Sequence, residues 1–200
     1  LPITTEILLA IVNFFAAFWY IIIVALGGLI FFARRWLATS SGRRAWDSFK
    51  LNAPIFNSLL RKMYMARFAR TAQVLLSSGV SMIETLKISS EAVNNVLIRD
   101  EILQAVNKVK NGKALSEALT NREYILPFVP QMIKIGESSG GIDAMLAKIA
   151  DYYDKEVDNA IAAISTLIEP ILMILMAIMI GFIVLAVLLP IYGLTDTSTL

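Results

Sequence analysis

Residues 142–190 read IDAMLAKIADYYDKEVDNAIAAISTLIEPILMILMAIMIGFIVLAVLLP, and this stretch decides the fold. Its first half carries apolar residues at spacings of three and four, which predicts one buried face of an α-helix. The second half, from Pro170 to Thr195, contains no charged residue. No breaker precedes Pro170, so the pattern predicts one long helix that leaves a polar domain and enters a membrane. At about 1.5 Å per residue, Pro170 to Pro190 covers roughly 30 Å, one bilayer core.

A second apolar run, from Ile7 to Ala33, also lacks charged residues and exceeds the roughly 20 residues that a spanning helix needs. No basic residue precedes it and it is long, so it is interpreted as a transmembrane helix rather than a signal peptide. Of the 200 residues, 57% are apolar and 17% are charged, and the two runs explain this imbalance. Because the chain begins at Leu1, we expect it to be a piece of a longer protein.

The distribution of basic residues indicates the orientation. All 18 Lys and Arg residues lie between Arg34 and Lys155. Basic residues beside a span favour the cytoplasmic side of the membrane. The predicted organisation is an outward-facing segment at 1–6, a transmembrane helix at 7–33, a cytoplasmic helical domain at 34–165, a transmembrane helix at 166–191 and an outward-facing tail at 192–200.

The first part of the predicted domain is strongly basic. From Arg34 to Arg70, nine basic residues accompany one acid, Asp47. The basic residues up to Lys50 are interpreted as an anchor on anionic lipid headgroups. For the later ones, lipid anchoring and the docking of an acidic partner stay open as equal alternatives. Nucleic-acid binding is disfavoured, because no recognisable binding motif is present. The later basic residues are Arg61, Lys62, Arg67 and Arg70.

Helical periodicity dominates the segment between the spans, and no period-two pattern occurs, which predicts an all-α bundle of about six helices flanked by the two spans. Residues 38–44 are predicted to be a linker. Gly79 is predicted to end a helix in a left-handed conformation, and Ser81 to cap the next one with Glu84 in a capping box. The predicted helices cover residues 46–51, 58–76, 82–93, 98–109, 116–119, a segment opened by Pro127 and Pro130 and closed by Gly140, and the long helix from Ile142. The helix predicted at 58–76 is expected to bury one face, formed by Leu59, Met63, Ala66, Ala69, Ala72 and Leu76.

Residue types restrict the chemistry. The chain contains no Cys and no His, which excludes thiol nucleophiles, disulfides, Cys/His zinc sites and a Ser-His-Asp triad within it. The run from Gly136 to Gly141, GESSGG, lacks the preceding strand and the following Lys-Ser/Thr pair of a phosphate loop, so it is interpreted as a tight connection between helices. We therefore predict no enzyme activity, no cofactor and no metal site.

Acidic residues supply the remaining candidate features. Glu137 stands at a helix end, where a carboxylate opposes the helix dipole, so it is expected to be held by a base, solvated or used at an interface. Four acids crowd the last helix and are interpreted as a solvated face beside Lys148 and Lys155. Glu169-Pro170 is either a headgroup-level acid before a mild kink or a bend that couples the domain to the span. The four crowded acids are Asp151, Asp154, Glu156 and Asp158.

Several blocks, in order along nearly the whole chain, resemble the inner-membrane platform proteins of type II secretion and type IV pilus machines. The most characteristic is QMIKIGESSGGIDAMLAKIADYYDKEVDNAI, at 131–161. The block ARFARTAQVLLSSGVSMIETL at 66–86, GKALSEAL at 112–119, LIEP at 167–170 and LLPIY at 188–192 match as well. Asn57 stands where the family usually has Gly, and Leu126 stands where it commonly has an aromatic residue.

The resemblance implies the C-terminal half of such a protein, in the bacterial inner membrane, with no catalysis of its own. It implies a homo-oligomer that contacts a cytoplasmic hexameric ATPase, pilin or pseudopilin subunits, other inner-membrane assembly proteins and membrane lipids. Residues are accordingly assigned to partner interfaces or to coupling. They are Arg61, Lys62, Arg67, Arg70, Gly79, Gly136, Glu137, Ser138, Ser139, Gly140, Asp151, Glu169, Pro170 and Pro190.

Two other classes of function compete with this interpretation. A channel or transporter subunit is the first alternative, but two spans are few and Glu169 is the one ionisable residue at predicted membrane depth. An intramembrane enzyme is the second, and it would need a catalytic constellation that this composition does not offer.

Overall fold

The computed structural model describes residues 3–54 and 56–196, and within them it contains eight helices and no strand. Side-chain surroundings are described for residues 17–21, 23–54, 56–185 and 188. The all-α prediction is therefore confirmed. The helices are α1 (Ile3–Leu37), α2 (Ser40–Asn52), α3 (Asn57–Ser77), α4 (Met82–Ala92), α5 (Val96–Lys110), α6 (Leu115–Leu119), α7 (Phe128–Ser139) and α8 (Ile142–Asp196).

The chain divides into two compact units. The first, called the central domain below, is Trp36–Ala162, and the second contains the remaining parts of α1 and α8. Two segments are long and apolar enough to cross a membrane, one within Ala17–Leu37 and one within Ile142–Leu185. Large apolar side chains in these segments, such as Phe31 and Ile171, are exposed within the chain. Such side chains suit a lipid environment, because lipid rather than protein would cover them.

The core of the central domain lies between the bundle helices α3 to α7 and the first turns of α8. The largest fully buried side chains include Phe68 and Met65 from α3 and Ile149 from α8. The predicted α3 face is confirmed at its alanines and half-buried elsewhere, but it omits Met65 and Phe68. Because α3 packs against both α2 and α4, more than one stripe of this helix is buried.

The predicted linker at 38–44 is wrong, because α2 begins at Ser40. Thr39 stops α1 and starts α2: its side-chain oxygen accepts the Gly42 amide hydrogen at 3.2 Å, a helix N-cap. Gly42 is buried, and a Cβ at this position would collide with the carbonyl oxygen of Trp36. Small polar residues here therefore build a tight corner between two helices, which composition alone does not distinguish from a flexible linker.

The predicted turn at Gly79 and the Ser81 N-cap are confirmed, but only the Ser81 half of the predicted capping box forms, because the Glu84 side chain turns to Lys87. Gly79, Gly112 and Gly140 adopt left-handed backbone conformations, with φ values of 83°, 84° and 73°. Ser81 accepts the Glu84 amide hydrogen at 3.4 Å, as an N-cap does. The Glu84 carboxylate pairs with Lys87 at 3.5 Å. These turns set the directions in which the helices of the central domain run.

The continuity of the last helix is confirmed as well. Helix α8 contains 55 residues, passes Pro170 without interruption and continues beyond Pro190 to Asp196. A proline inside a helix removes one amide donor, but the residues after it can still adopt helical geometry. The sequence places Pro190 at the end of the span, whereas the helix itself ends later.

Candidate functional site

Basic residues of α3 face acidic residues of α8. Lys62 Nζ lies 2.7 Å from Glu156 Oε2. Arg70 Nη2 donates to Asp151 Oδ1 at 2.7 Å and to Asp154 Oδ2 at 2.8 Å. Asp151, Asp154 and Asp158 are exposed, as predicted, whereas Glu156 is half-buried. The basic partners of Asp151, Asp154 and Glu156 come from α3 rather than from Lys148 and Lys155. These three ion pairs link the basic and acidic parts of the central domain.

Arg70 holds two carboxylates at once. The hydrogen bonds to Asp154 and Asp151 raise the pKa of its guanidinium above the usual value, so the group stays charged. Its side chain is 45% exposed and those of Asp151 and Asp154 are more so, hence water and salt screen the attraction. Each exposed pair of this kind stabilises a fold by about 0.2–1 kcal/mol. The cluster therefore orients α8 more than it stabilises the domain.

The other two basic candidates of α3, Arg61 and Arg67, form no ion pair with α8 in the described part of the chain, unlike Lys62 and Arg70. The Arg61 guanidinium lies 5.4 Å from the centre of the Tyr124 ring and donates to the Glu123 carbonyl oxygen at 3.1 Å. Arg67 is exposed, and within the described part of the chain it has no hydrogen bond or ion pair. Of the four candidates, Arg67 is therefore the one whose charge is directed at solvent or at another molecule.

We predict that Arg70→Ala lowers the free energy of unfolding by about 1 kcal/mol, because two exposed ion pairs are lost together. Arg67→Ala, one helical turn away, is the matched control and should leave stability nearly unchanged. Thermal unfolding of the full chain in detergent micelles, at low and at high salt, measures both variants. The loss in Arg70→Ala should shrink at high salt, and equal losses in the two variants would contradict the assignment.

Glu137 has a partner that none of the three sequence alternatives names. Its carboxylate accepts the Leu115 amide hydrogen at 2.6 Å and that of Ser116 at 3.3 Å, and it also accepts the Ser116 hydroxyl hydrogen. These groups form the N-terminal turn of α6, where backbone amides lack partners within the helix and the dipole favours an anion. Glu137 is thus a residue of α7 whose carboxylate caps the N-terminus of α6.

The turn between α7 and α8 explains the GESSGG motif. Gly140 takes the left-handed conformation that ends α7, and the Gly141 amide donates to the Gly136 carbonyl at 3.0 Å. Gly136 is helical, but a Cβ there would lie 2.8 Å from the Cα of Ile142. Ser138 and Ser139 are exposed and donate to carbonyls of the preceding turn of α7. The motif is a close connection between two helices, as the sequence predicts.

The remaining candidates lie apart from these contacts. Gly79 occupies the α3–α4 turn with open space around it. Glu169 and Pro170 are exposed on α8, in the second compact unit. Pro190 is part of α8, and its side chain lies outside the described side chains. The structure therefore pairs Arg70 with Asp151, and it brings Glu137 to the start of α6. Lys62 pairs separately with Glu156, on the same two helices as Arg70 and Asp151.

Two carboxylates with structural roles are missing from the sequence-based assignments. Asp47 is 2% exposed, pairs with Lys50 at 2.6 Å and accepts the Val96 amide hydrogen at 2.9 Å. Its position as the single acid among nine bases was a sequence signal that could have marked Asp47 as a structural residue. Glu101 accepts two backbone amide hydrogens, from Glu123 and Tyr124, at 2.9 and 3.0 Å. Burial raises the pKa of Glu101, and these two hydrogen bonds partly oppose that rise.

Comparison with known proteins supports one family. A family model described as type II secretion system (T2SS), protein F, matches residues 68–190. The matched region contains Arg70 with its two acids, Glu137 with its α6 partners, and α8 as far as Pro190, whereas Lys62 precedes it. The chain belongs to this family. The resemblance stated from the sequence blocks is therefore confirmed.

Members of the family from both kinds of machine are similar to the chain. The type IV pilus assembly protein PilC of Thermus thermophilus is 37% identical over 199 residues, covering 98% of this chain and 49% of that protein. The type II secretion system protein F of Aeromonas hydrophila is 33% identical over 202 residues, covering 100% of this chain and 52% of that protein. The chain thus spans about half the length of the curated relatives it matches.

Proposed function

We propose that the chain is part of an inner-membrane platform protein of a type IV pilus or type II secretion machine. In this role it couples a cytoplasmic motor ATPase to the insertion or removal of pilin subunits. Family membership supports the general assignment, and the similar proteins are named for pilus assembly and for type II secretion. The role is one of scaffolding and coupling, without catalysis by the chain itself.

The observation that carries the coupling proposal is helix α8. It begins at Ile142, directly after the close turn in which Gly136 of α7 approaches it, and three ion pairs join it to α3. It then continues as one helix into a segment apolar enough to span a membrane. A continuous helix transmits a push or rotation along its axis, since each turn is hydrogen-bonded to the next. A force applied to the central domain would therefore reach the membrane segment through covalent and hydrogen-bonded structure.

The proposed orientation places the central domain in the cytoplasm. All 18 basic residues lie between Arg34 and Lys155, and the stretches outside this range are free of them. A motor ATPase in the cytoplasm could then contact the central domain directly. Arg67 is the preferred contact on α3, because its exposed charge has no partner within the described residues.

Site-specific photocrosslinking in native membranes tests the proposal. A photoreactive residue at Arg67, and another at the exposed Ile135 of α7, should capture the motor ATPase, a pilin subunit or a second copy of the chain. The same residue at Ile149, which is fully buried, is the control and should give crosslinks only within the chain. Failure of both exposed positions to capture any of the three would reject the proposed role.

Pro170→Ala separates a coupling role from a merely structural one. Alanine restores the missing helix donor, so α8 should fold at least as well and become stiffer at this point. We expect normal protein levels and unchanged thermal unfolding, but reduced piliation or secretion. Pro54→Ala, in the exposed α2–α3 connection, is the proline control. Normal machine activity in Pro170→Ala would argue against a coupling role for Pro170.

A further inference from the structure

Helix α2 presents aromatic side chains that the central domain does not cover. Trp46 is 46% exposed and Phe49 is 64% exposed, and their rings stack with centroids 5.9 Å apart and an interplanar angle of 20°. Phe56, just beyond the end of α2, is 52% exposed. Grouped exposed aromatic rings, unlike single scattered ones, indicate a surface that meets an apolar partner.

The same helix has an opposite side that faces the core. Asp47 and Leu51 are buried there, and α2 packs against α3 and α5. Side chains one and two residues away from these positions point in other directions around the helix, which is why Trp46 and Phe49 face outward. Helix α2 therefore already has its packing partners within the domain, and its aromatic face is left over.

Helix α2 also carries two exposed arginines. They are Arg43 and Arg44, in the first turns of the helix. Arg43 donates to Asn94 Oδ1 at 2.8 Å, and Arg44, whose side chain is 62% exposed, lies 3.6 Å from the Asp100 carboxylate. The acid of this stretch, Asp47, is buried and neutralised by Lys50. The outer surface of α2 thus carries aromatic rings beside two exposed guanidinium groups.

The start of α2 is tied closely to the end of an apolar helix. Only Ala38 and Thr39 separate α1 from α2, and the Thr39 N-cap and the buried Gly42 define this corner. The candidate spanning segment ends at Leu37. If that segment crosses a membrane, the first turn of α2 starts within a few residues of the lipid headgroups, whatever the position of the rest of the domain.

We infer that α2 is an interfacial helix that lies on the cytoplasmic membrane surface. Trp46 and Phe49 enter the boundary between headgroups and acyl chains, and the nearby arginines bind anionic phospholipid headgroups. Tryptophan is favoured at this depth, and amphipathic helices with basic and aromatic residues bind such surfaces. The inference rests on the membrane-spanning role of α1 in the proposed function.

Fluorescence quenching of the full chain in lipid vesicles tests this inference. The chain has three tryptophans, Trp19, Trp36 and Trp46, so changing two of them to Phe leaves a single reporter. The Trp46 reporter is compared with one at the exposed Ile135 position on α7, made by Ile135→Trp with all three native tryptophans changed to Phe. Vesicles contain phosphatidylcholine with or without phosphatidylglycerol, brominated lipid quenches from the membrane, and acrylamide quenches from water.

We expect brominated lipid to quench Trp46 strongly and acrylamide to quench it weakly, with the reverse at the Ile135→Trp position. Strong quenching of both reporters by acrylamide would overturn the inference. Protection of Trp46 from both quenchers would also overturn it, in favour of a second copy of the chain covering this face. The Trp19 reporter checks the span: lipid quenching at Trp19 but not at Trp46 would reject the interfacial helix and leave the proposed function intact.

A second pair of variants tests the contact between the arginines and anionic headgroups. Arg43→Gln combined with Arg44→Gln should reduce the phosphatidylglycerol-dependent lipid contact of Trp46, by roughly fivefold in the local equilibrium for each charge removed. Lys108→Gln combined with Lys110→Gln, exposed at the end of α5, is the matched control and should change nothing. Lipid quenching of Trp46 that is equal with and without phosphatidylglycerol would overturn the headgroup contact.

Discussion

Gly136→Ala is expected to lower the free energy of unfolding by about 3 kcal/mol, the upper part of the range for overpacking a tight site. The added methyl group would lie 2.8 Å from the Cα of Ile142, and a backbone atom cannot rotate away as a side chain can. The α7–α8 corner would therefore have to open. Thermal unfolding in detergent micelles, followed by circular dichroism, measures the loss.

Gly141→Ala is the matched control, five residues later in the same motif. A Cβ at Gly141 would meet only the Ser139 hydroxyl oxygen at 3.7 Å, an ordinary contact, and Gly141 has no left-handed φ. We expect a change well below 1 kcal/mol in that variant. Equal losses of unfolding free energy in the two variants would show that the close approach to Ile142 is not the reason why position 136 requires glycine.

Glu137→Ala is expected to destabilise the central domain by about 2–4 kcal/mol, since several hydrogen bonds to one charged group are lost and the donors are left without a partner. The donors are the amides of Leu115 and Ser116 and the Ser116 hydroxyl, all partly buried. Glu137→Gln keeps an acceptor oxygen but removes the charge that favours a helix N-terminus, so an intermediate loss is expected.

Glu117→Ala provides the comparison for Glu137→Ala, because it removes a carboxylate from α6 itself. Glu117 is exposed and pairs with Lys113 at 2.9 Å, so its removal should cost little. Hydrogen exchange of the Leu115 and Ser116 amides gives a local readout. Their exchange should accelerate in Glu137→Ala and stay slow in Glu117→Ala; unchanged protection in Glu137→Ala would refute the capping role.

Local chemistry explains most of what could be predicted from the sequence. Left-handed Gly79 and Gly140, the Ser81 cap and the unbroken α8 follow from signals within one or two helical turns. The corner at Thr39 and Gly42 was missed because small polar residues suit both a linker and a capped helix start. The corner can be recognised only when the position of the Trp36 carbonyl relative to Gly42 is known, and that position depends on the three-dimensional path of the backbone.

Long-range partners explain what could not be predicted. Glu137 meets residues 21 and 22 positions earlier, and Arg70 meets acids more than 80 positions later. The charges were visible, but a sequence does not state which base faces which acid. Gly136 was singled out within a motif, yet its role is a close backbone approach rather than an unusual φ, and that appears only when α7 and α8 are packed.

The Glu137 cap also bears on the order in which the domain forms during synthesis. Helix α6 has five residues, far below the roughly 12–15 that an isolated helix needs to be stable in water. The carboxylate that binds its first amides is translated more than twenty residues later. A nascent chain that has emerged only as far as α6 therefore lacks a stable helix there, and α6 becomes ordered when α7 arrives.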